Sequence, residues 1–153
     1  MELVTYSNPN HGITISYPRN WEILEDYMGM TLAILSPQES EKDDFRENLI
    51  VQVTDLEGVP FTLDDFSHAS IENLKQVITK IKIIGPQTPT TVAGTPGRKI
   101  IYRGVQGNFK LQWLTMWTLK NGNAYILTFT AKRRSFDKYL PLFENLAATF
   151  IIF

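Results

Sequence analysis

The residues whose types and spacing suit chemistry gather in an acidic stretch and a basic run. Glu39, Glu41, Asp43, Asp44 and Glu47 crowd residues 36–47 (Ser-Pro-Gln-Glu-Ser-Glu-Lys-Asp-Asp-Phe-Arg-Glu). Carboxylate oxygens held this close together are what a Ca²⁺ or Mn²⁺ ion takes. His11, in a turn near the amino terminus, could ligate a metal with a nearby carboxylate. The metal-ligand candidates are therefore His11, Glu39, Glu41, Asp43 and Asp44. The Gly and alternating ligands of a dedicated calcium loop are missing, and Lys42 and Arg46 interrupt the acids. A solvated loop is the expectation, and any cation there would be held weakly. His68 falls beside the buried stripe of a helical pattern, where partial burial is expected, and no His-x-x-Glu or His-x-x-x-His spacing supports a metal.

The basic run is Lys132-Arg133-Arg134, where the last long strand pattern meets the final helical pattern. Loops at such junctions often carry function. These side chains are the partner-binding candidates, suited to an acidic protein surface or to lipid head groups. Three charges fall short of the roughly 4–8 that membrane recognition uses, so at most a peripheral membrane association is expected.

Catalytic chemistry finds no constellation. Serines stand at turns and helix ends without a Gly-x-Ser-x-Gly elbow. The nearest Gly-rich stretch, Gly94–Gly97, is interrupted by Pro96, so no phosphate loop is present. The chain has no Cys, which removes thiolate catalysis, disulfides and Cys-bound metals. Asp64-Asp65 is explained by helix capping. No enzyme activity and no cofactor are expected.

The chain has 153 residues, 43% apolar and 20% charged, with a formal charge of −1. That length suits one domain, taken as 1–153, with a core large enough to need no staple. A charge near zero gives no global drive towards nucleic acid or anionic membranes. No apolar run approaches the ~18–20 residues of a membrane span. A strand pattern begins almost at Met1, so either the chain is cytosolic from its native start, or a leader or larger parent was removed; trimming is the favoured expectation.

Several elements can be read locally. Strand patterns run at 3–7, 12–17, 21–25, 30–35, 48–55, 98–105, 109–119 and 124–131. In 12–17, Ile13, Ile15 and Tyr17 share one face, and Pro18 stops the ladder. Lys120-Asn121-Gly122-Asn123 sets a two-residue hairpin. Its register places Leu119 opposite Ala124, Trp117 opposite Ile126 and Leu114 opposite Phe129. Trp113, Trp117 and Ile126 then share one face, with Leu114, Met116, Leu127 and Phe129 on the other. Both faces are apolar, so both must be covered. Gln106-Gly107-Asn108 makes 98–131 a three-stranded meander, and Thr90–Val92 could hide a short edge strand.

Thr62 caps a first helix with a staple from Phe61 to Phe66. Its buried stripe is Leu63, Phe66, Ser70, Leu74, Val77 and Ile81, widened by Ile71 and Ile78. A second helix lies within 135–150, its regular part expected from Pro141 because an interior Pro loses a hydrogen bond. The fold class is α+β, an antiparallel sheet with helices packed on it.

Gly12-Ile-Thr-Ile-Ser-Tyr-Pro-Arg-Asn-Trp21 resembles the opening motif of PsbP-like proteins, relatives of an extrinsic photosystem II subunit. In order along the chain, 45–53, Thr62–Ile78, 93–102, Trp113–Thr118, 123–131 and 139–146 resemble further stretches of that family. The resemblance implies an αβα sandwich with a central antiparallel sheet of about six strands flanked by helices. That fold is shared with a Ran-binding nuclear-import protein and with bacterial lipoproteins. It also implies a non-catalytic, monomeric, protein-binding domain, an accessory or assembly factor of photosystem II on the lumenal or extracytoplasmic side. The alternative is a ligand- or signal-sensing module of a larger receptor, kinase or lipoprotein. Fold sharing does not transfer function.

Overall fold

Asn121 and Gly122 take φ of 54° and 78°, the left-handed pair that a tight hairpin demands. They join β9 (Phe109–Lys120) to β10 (Asn123–Lys132), and the register is the expected one, with Leu119 opposite Ala124 and Phe129 opposite Leu114. The structure is a computed structural model that describes residues 2–38 and 40–153. The remaining strands are β1 (Leu3–Asn8), β2 (Ile13–Pro18), β3 (Glu22–Tyr27), β4 (Met30–Leu35), β5 (Asn48–Asp55), β6 (Thr79–Ile83), β7 (Thr88–Val92), β8 (Thr95–Gln106) and β11 (Ile151–Ile152). The helices are α1 (Leu63–Val77) and α2 (Phe136–Ala148).

The main sheet runs β3-β4-β5-β10-β9-β8-β6, with β7 also on β8, and every pairing is antiparallel. It has eight strands rather than about six. The expected edge strand at Thr90–Val92 is real and begins at Thr88, while β6 begins within the stretch that the helical stripe, drawn to Ile81, claims. A second sheet of three strands, β1-β2-β11, joins the amino-terminal hairpin to the end of the chain. Ile13 and Ile15 are fully buried beneath it, and Pro18 is the last residue of its strand.

The doubly apolar hairpin is covered as its pattern requires. On one face Leu114, Met116, Leu127 and Phe129 pack with Phe136, Phe143 and Leu146 of α2, with β4 and β5, and with the small sheet. On the other face Trp113, Trp117 and Ile126 pack beneath Leu63, Phe66, Ile71 and Leu74 of α1. Helices thus lie on both sides of the main sheet.

Two helix boundaries differ from expectation. The α1 stripe stops at Val77, which is 62% exposed, and Ile78 is already extended with its N–H on the Leu74 carbonyl at 3.0 Å. Ile81 reaches the same cluster from β6. Val77, Ile78 and Ile81 fit a helical period, but Thr-Lys-Ile-Lys-Ile also alternates, and the strand period won because β8 offers an open edge. Gly104 lets this segment approach: a Cβ there would stand 2.4 Å from Ile78 Cγ2. The other departure is α2, which is regular from Phe136 and holds Pro141 inside it. Phe136, Phe143 and Leu146 are at most 1% exposed. Their burial outweighs the one hydrogen bond that the proline nitrogen cannot make.

Candidate functional site: a cationic groove at the β10–α2 junction

The register that leaves the Asn-Gly turn ends with Lys132 opposite Leu111. One further bond, from Arg133 N–H to the Lys110 carbonyl at 3.0 Å, carries the ladder past the strand. The chain then turns, Ser135 N–H bonding the Lys132 carbonyl at 2.9 Å. The Ser135 carbonyl accepts from Lys138 and Tyr139 to start α2. Strand end, turn and first helical turn therefore hold the basic run beside the β8–β9 turn.

The acidic loop meets this corner. Its ends are pinned: Ser36 Oγ donates to Glu47 Oε2 at 3.1 Å, Ser36 N–H bonds the Glu47 carbonyl at 2.8 Å, and Arg46 Nε donates to the Ser36 carbonyl at 2.6 Å. Inside the loop, Gln38 Nε2 donates to the Asp43 carbonyl at 2.9 Å. Phe45 packs its ring against Phe109, centroids 5.3 Å apart. Asp44 accepts from Lys132 Nζ, which lies 5.8 Å from the Phe109 ring centroid. The Lys132 hydrogen bond holds the Asp44 carboxyl below the usual carboxylate range.

Between these parts lies a groove of about 610 Å³ lined by Phe109, Lys110, Lys132, Arg133, Arg134 and Asp44, with Asn108 at its end. A second hollow of about 240 Å³ shares Lys132 and Arg134 and adds Lys42, Asp43, Glu47 and Lys138. Arg133 Nε is buried without a hydrogen-bond partner among the described residues. Such a corner can bind an anion by charge and hold an apolar group against Phe109.

The candidate residues divide. Lys132, Arg133 and Arg134 come together in the groove. Asp44 is paired with Lys132, and Asp43 lines the hollow that also holds Lys42, Lys132, Arg134 and Lys138. Glu41 is exposed, and Glu39 lies outside the described residues. His11 sits in the β1–β2 turn, its N–H on Asn8 Oδ1 at 3.0 Å. Among the described residues no three His, Asp or Glu side chains are placed to hold a metal ion. His68 is exposed on α1, not partly buried, because the preceding residue, Ser67, takes the inward position.

Lys110, Lys138 and Phe109 were missed. Counting the Asn-Gly register outward to Lys132 would have placed Leu111, and so Lys110 and Phe109, beside the basic run. No such signal exists for Lys138. Elsewhere, a cavity of about 220 Å³ between α1 and the sheet holds Ser70, Asn73 and the hydrogen-bonded Tyr102 and Thr115 hydroxyls, 2.8 Å apart. A cleft of about 510 Å³ runs between α2 and the β7–β8 hairpin, with Lys99 and Glu144 on its walls.

An antiparallel sheet covered by helices on both faces, with a charged corner at one strand end, defines an α+β domain. The chain belongs to the PsbP-like protein family, whose model matches residues 1–144. Among solved structures it is similar to the cyanobacterial PsbP (CyanoP) of Synechocystis sp. PCC 6803, at 18% identity and TM-score 0.71, covering 99% of this chain and 92% of that one. It is similar also to LpqN of Mycobacterium tuberculosis, described as involved in cell envelope biogenesis, at 12% identity, TM-score 0.68 and coverage of 92% and 82%. The Ran-binding protein Mog1p of Saccharomyces cerevisiae matches at 11% identity, TM-score 0.63 and coverage of 99% and 96%. These likenesses show the fold alone. A comparison with curated proteins finds no significant match. No helix among the described residues is long and apolar enough to cross a membrane.

Proposed function

We propose that this chain is a non-catalytic PsbP-like domain that docks a protein partner through the corner built by Lys132, Arg133 and Arg134. The observation that carries this reading is the gathering of Lys110, Lys132, Arg133 and Arg134 around one groove, in a chain whose formal charge is −1. Family membership and the likeness to CyanoP support an accessory or assembly role at photosystem II, on the lumenal or extracytoplasmic side. The domain is taken to work as a monomer without a resident cofactor, and any Ca²⁺ or Mn²⁺ on the acidic loop would be held weakly.

The test is co-purification of the tagged chain with thylakoid complexes from its host, at low and high salt, for the native chain and for Arg134→Glu. Arg134 is exposed, so its reversal should leave the fold intact and abolish capture. Capture that survives the reversal would sink the docking site, and a non-photosynthetic host would sink the photosystem role. A second reading, a ligand- or signal-sensing module, is favoured by the cleft between α2 and the β7–β8 hairpin. A small-molecule ligand shifting the melting temperature of the native chain would support it.

A further inference from the structure

Asp44 already shows what the groove accepts. Its carboxylate comes from a loop 88 residues away in sequence and sits on Lys132 Nζ. The lysine side chain is 16% exposed, its stem walled in beside Phe109, whereas the aspartate is 64% exposed. The pair is therefore a buried-stemmed cation offered to an outside carboxylate. Removing that carboxylate uncovers no core, and an exposed ion pair contributes little to stability.

We propose that the groove takes an acidic segment of a partner protein, carboxylates flanking one aromatic side chain, and that Asp44 holds the place of the partner's carboxylate in the free chain; this deepens, and rests on, the docking role above. The partner's carboxylate displaces Asp44 from Lys132. The guanidinium groups of Arg133 and of the exposed Arg134, which both line the groove, take the flanking acids. Carboxylates on guanidinium groups form charge-assisted, often bidentate hydrogen bonds. Phe109 forms the apolar wall against which an aromatic side chain stacks, next to the cation already over its ring.

An anionic lipid surface fits this corner less well. Asp43 lines the adjoining hollow together with Lys132 and Arg134, and Glu41 and Asp44 are exposed nearby in sequence, so a flat sheet of negative charge meets repulsion there. A flexible segment can instead set its acids between them.

The experiment is fluorescence anisotropy of a labelled peptide, Glu-Asp-Glu-Phe-Glu-Asp, titrated with the full chain. Asp44→Asn, which keeps shape and removes the competing charge, should bind about two- to fivefold tighter. Arg134→Glu should bind at least about tenfold weaker, with Arg134→Gln as the milder variant should the reversal disturb the fold. Alanine in place of the peptide phenylalanine should weaken binding several-fold, and affinity should fall as salt rises. Asp44→Asn binding no tighter, or Arg134→Glu and Arg134→Gln binding as well as the native chain, would overturn the proposal. So would phosphatidylserine vesicles taking up the chain while the peptide does not bind. Salt-sensitive capture of thylakoid complexes without peptide binding would sink the acidic segment and leave the docking role standing; loss of both would remove the site altogether.

Discussion

The two faces of the main sheet are built from equally apolar strands and are sealed to different degrees. Against α2, the sheet closes over a continuous core in which Phe129, Phe143, Leu146, Ile13 and Ile15 are fully buried, and the small sheet completes the cover. Against α1, the fully enclosed part is smaller, and the helix itself buries only Ser67 among its described residues. Phe66, Leu74 and Ile126 remain half-buried around a cavity of about 220 Å³. One face therefore holds the fold together, while the other has room to adjust. The same apolar strand pattern gives both outcomes, so the sealing elements, not the strands, set the difference.

The largest expected effect breaks or keeps this contrast directly. Phe143→Ala empties a fully buried site and should cost about 3–5 kcal/mol in chemical denaturation, against about 1–2 kcal/mol for Phe66→Ala on the half-open face. Equal losses would mean that α1 seals its face as tightly as α2. Next comes a buried polar tie beneath α1, where Trp117 Nε1 donates to Ser67 Oγ at 2.7 Å. Ser67→Ala leaves that indole N–H unpaired and should cost about 1–3 kcal/mol, with a shift in tryptophan fluorescence. A neutral result would place water in the cavity as the substitute acceptor.

A smaller, pH-resolved effect lies at the edge of the α2 side. The Tyr6 hydroxyl donates to Glu25 Oε1 at 2.6 Å and accepts from Asn8 Nδ2 at 3.0 Å. Burial, and then the bond to Glu25, push the Tyr6 hydroxyl up to about 12. Because the folded value is raised above the ordinary value near 10, its contribution is complete below pH ~10 and is lost as pH rises towards about 12. Denaturation midpoints of the native chain and Tyr6→Phe should diverge in pH dependence only in that window; parallel curves there would remove Tyr6 as a tie between the two sheets. The smallest effect is at Asp44. Its carboxyl is held low, so its contribution is present above the ordinary carboxylate pKa and lost as pH falls through the lowered one. Asp44→Asn should lower the denaturation midpoint at neutral pH only slightly, as for other exposed ion pairs, and a large loss would make the pair structural rather than a replaceable cover.

Much of the main sheet was legible because its signals are local. Asn121-Gly122 dictates left-handed backbone at two positions, and alternation along β9 and β10 then assigns each side chain to a face. The misreadings fall where two local rules compete. Thr79–Ile83 satisfies both helical and strand periods, and Pro141 argues locally against the helix that Phe136 and Phe143 stabilise by burial. At the site, the basic run was visible as a run, whereas Lys110 and Phe109 join it only across the ladder and Asp44 only across the loop.

The sequence by itself determined the hairpin register, the two apolar faces, the α1 cap at Thr62 and the position of the cationic run, since backbone dihedrals and side-chain periodicity act over a few residues. Only the tertiary structure decided the small sheet, which joins Ile13 and Thr14 to Ile152 and Ile151, and the meeting of Asp44 with Lys132. Partners so far apart along the chain are chosen by which surfaces remain to be covered once the core has formed, and no local pattern encodes that remainder.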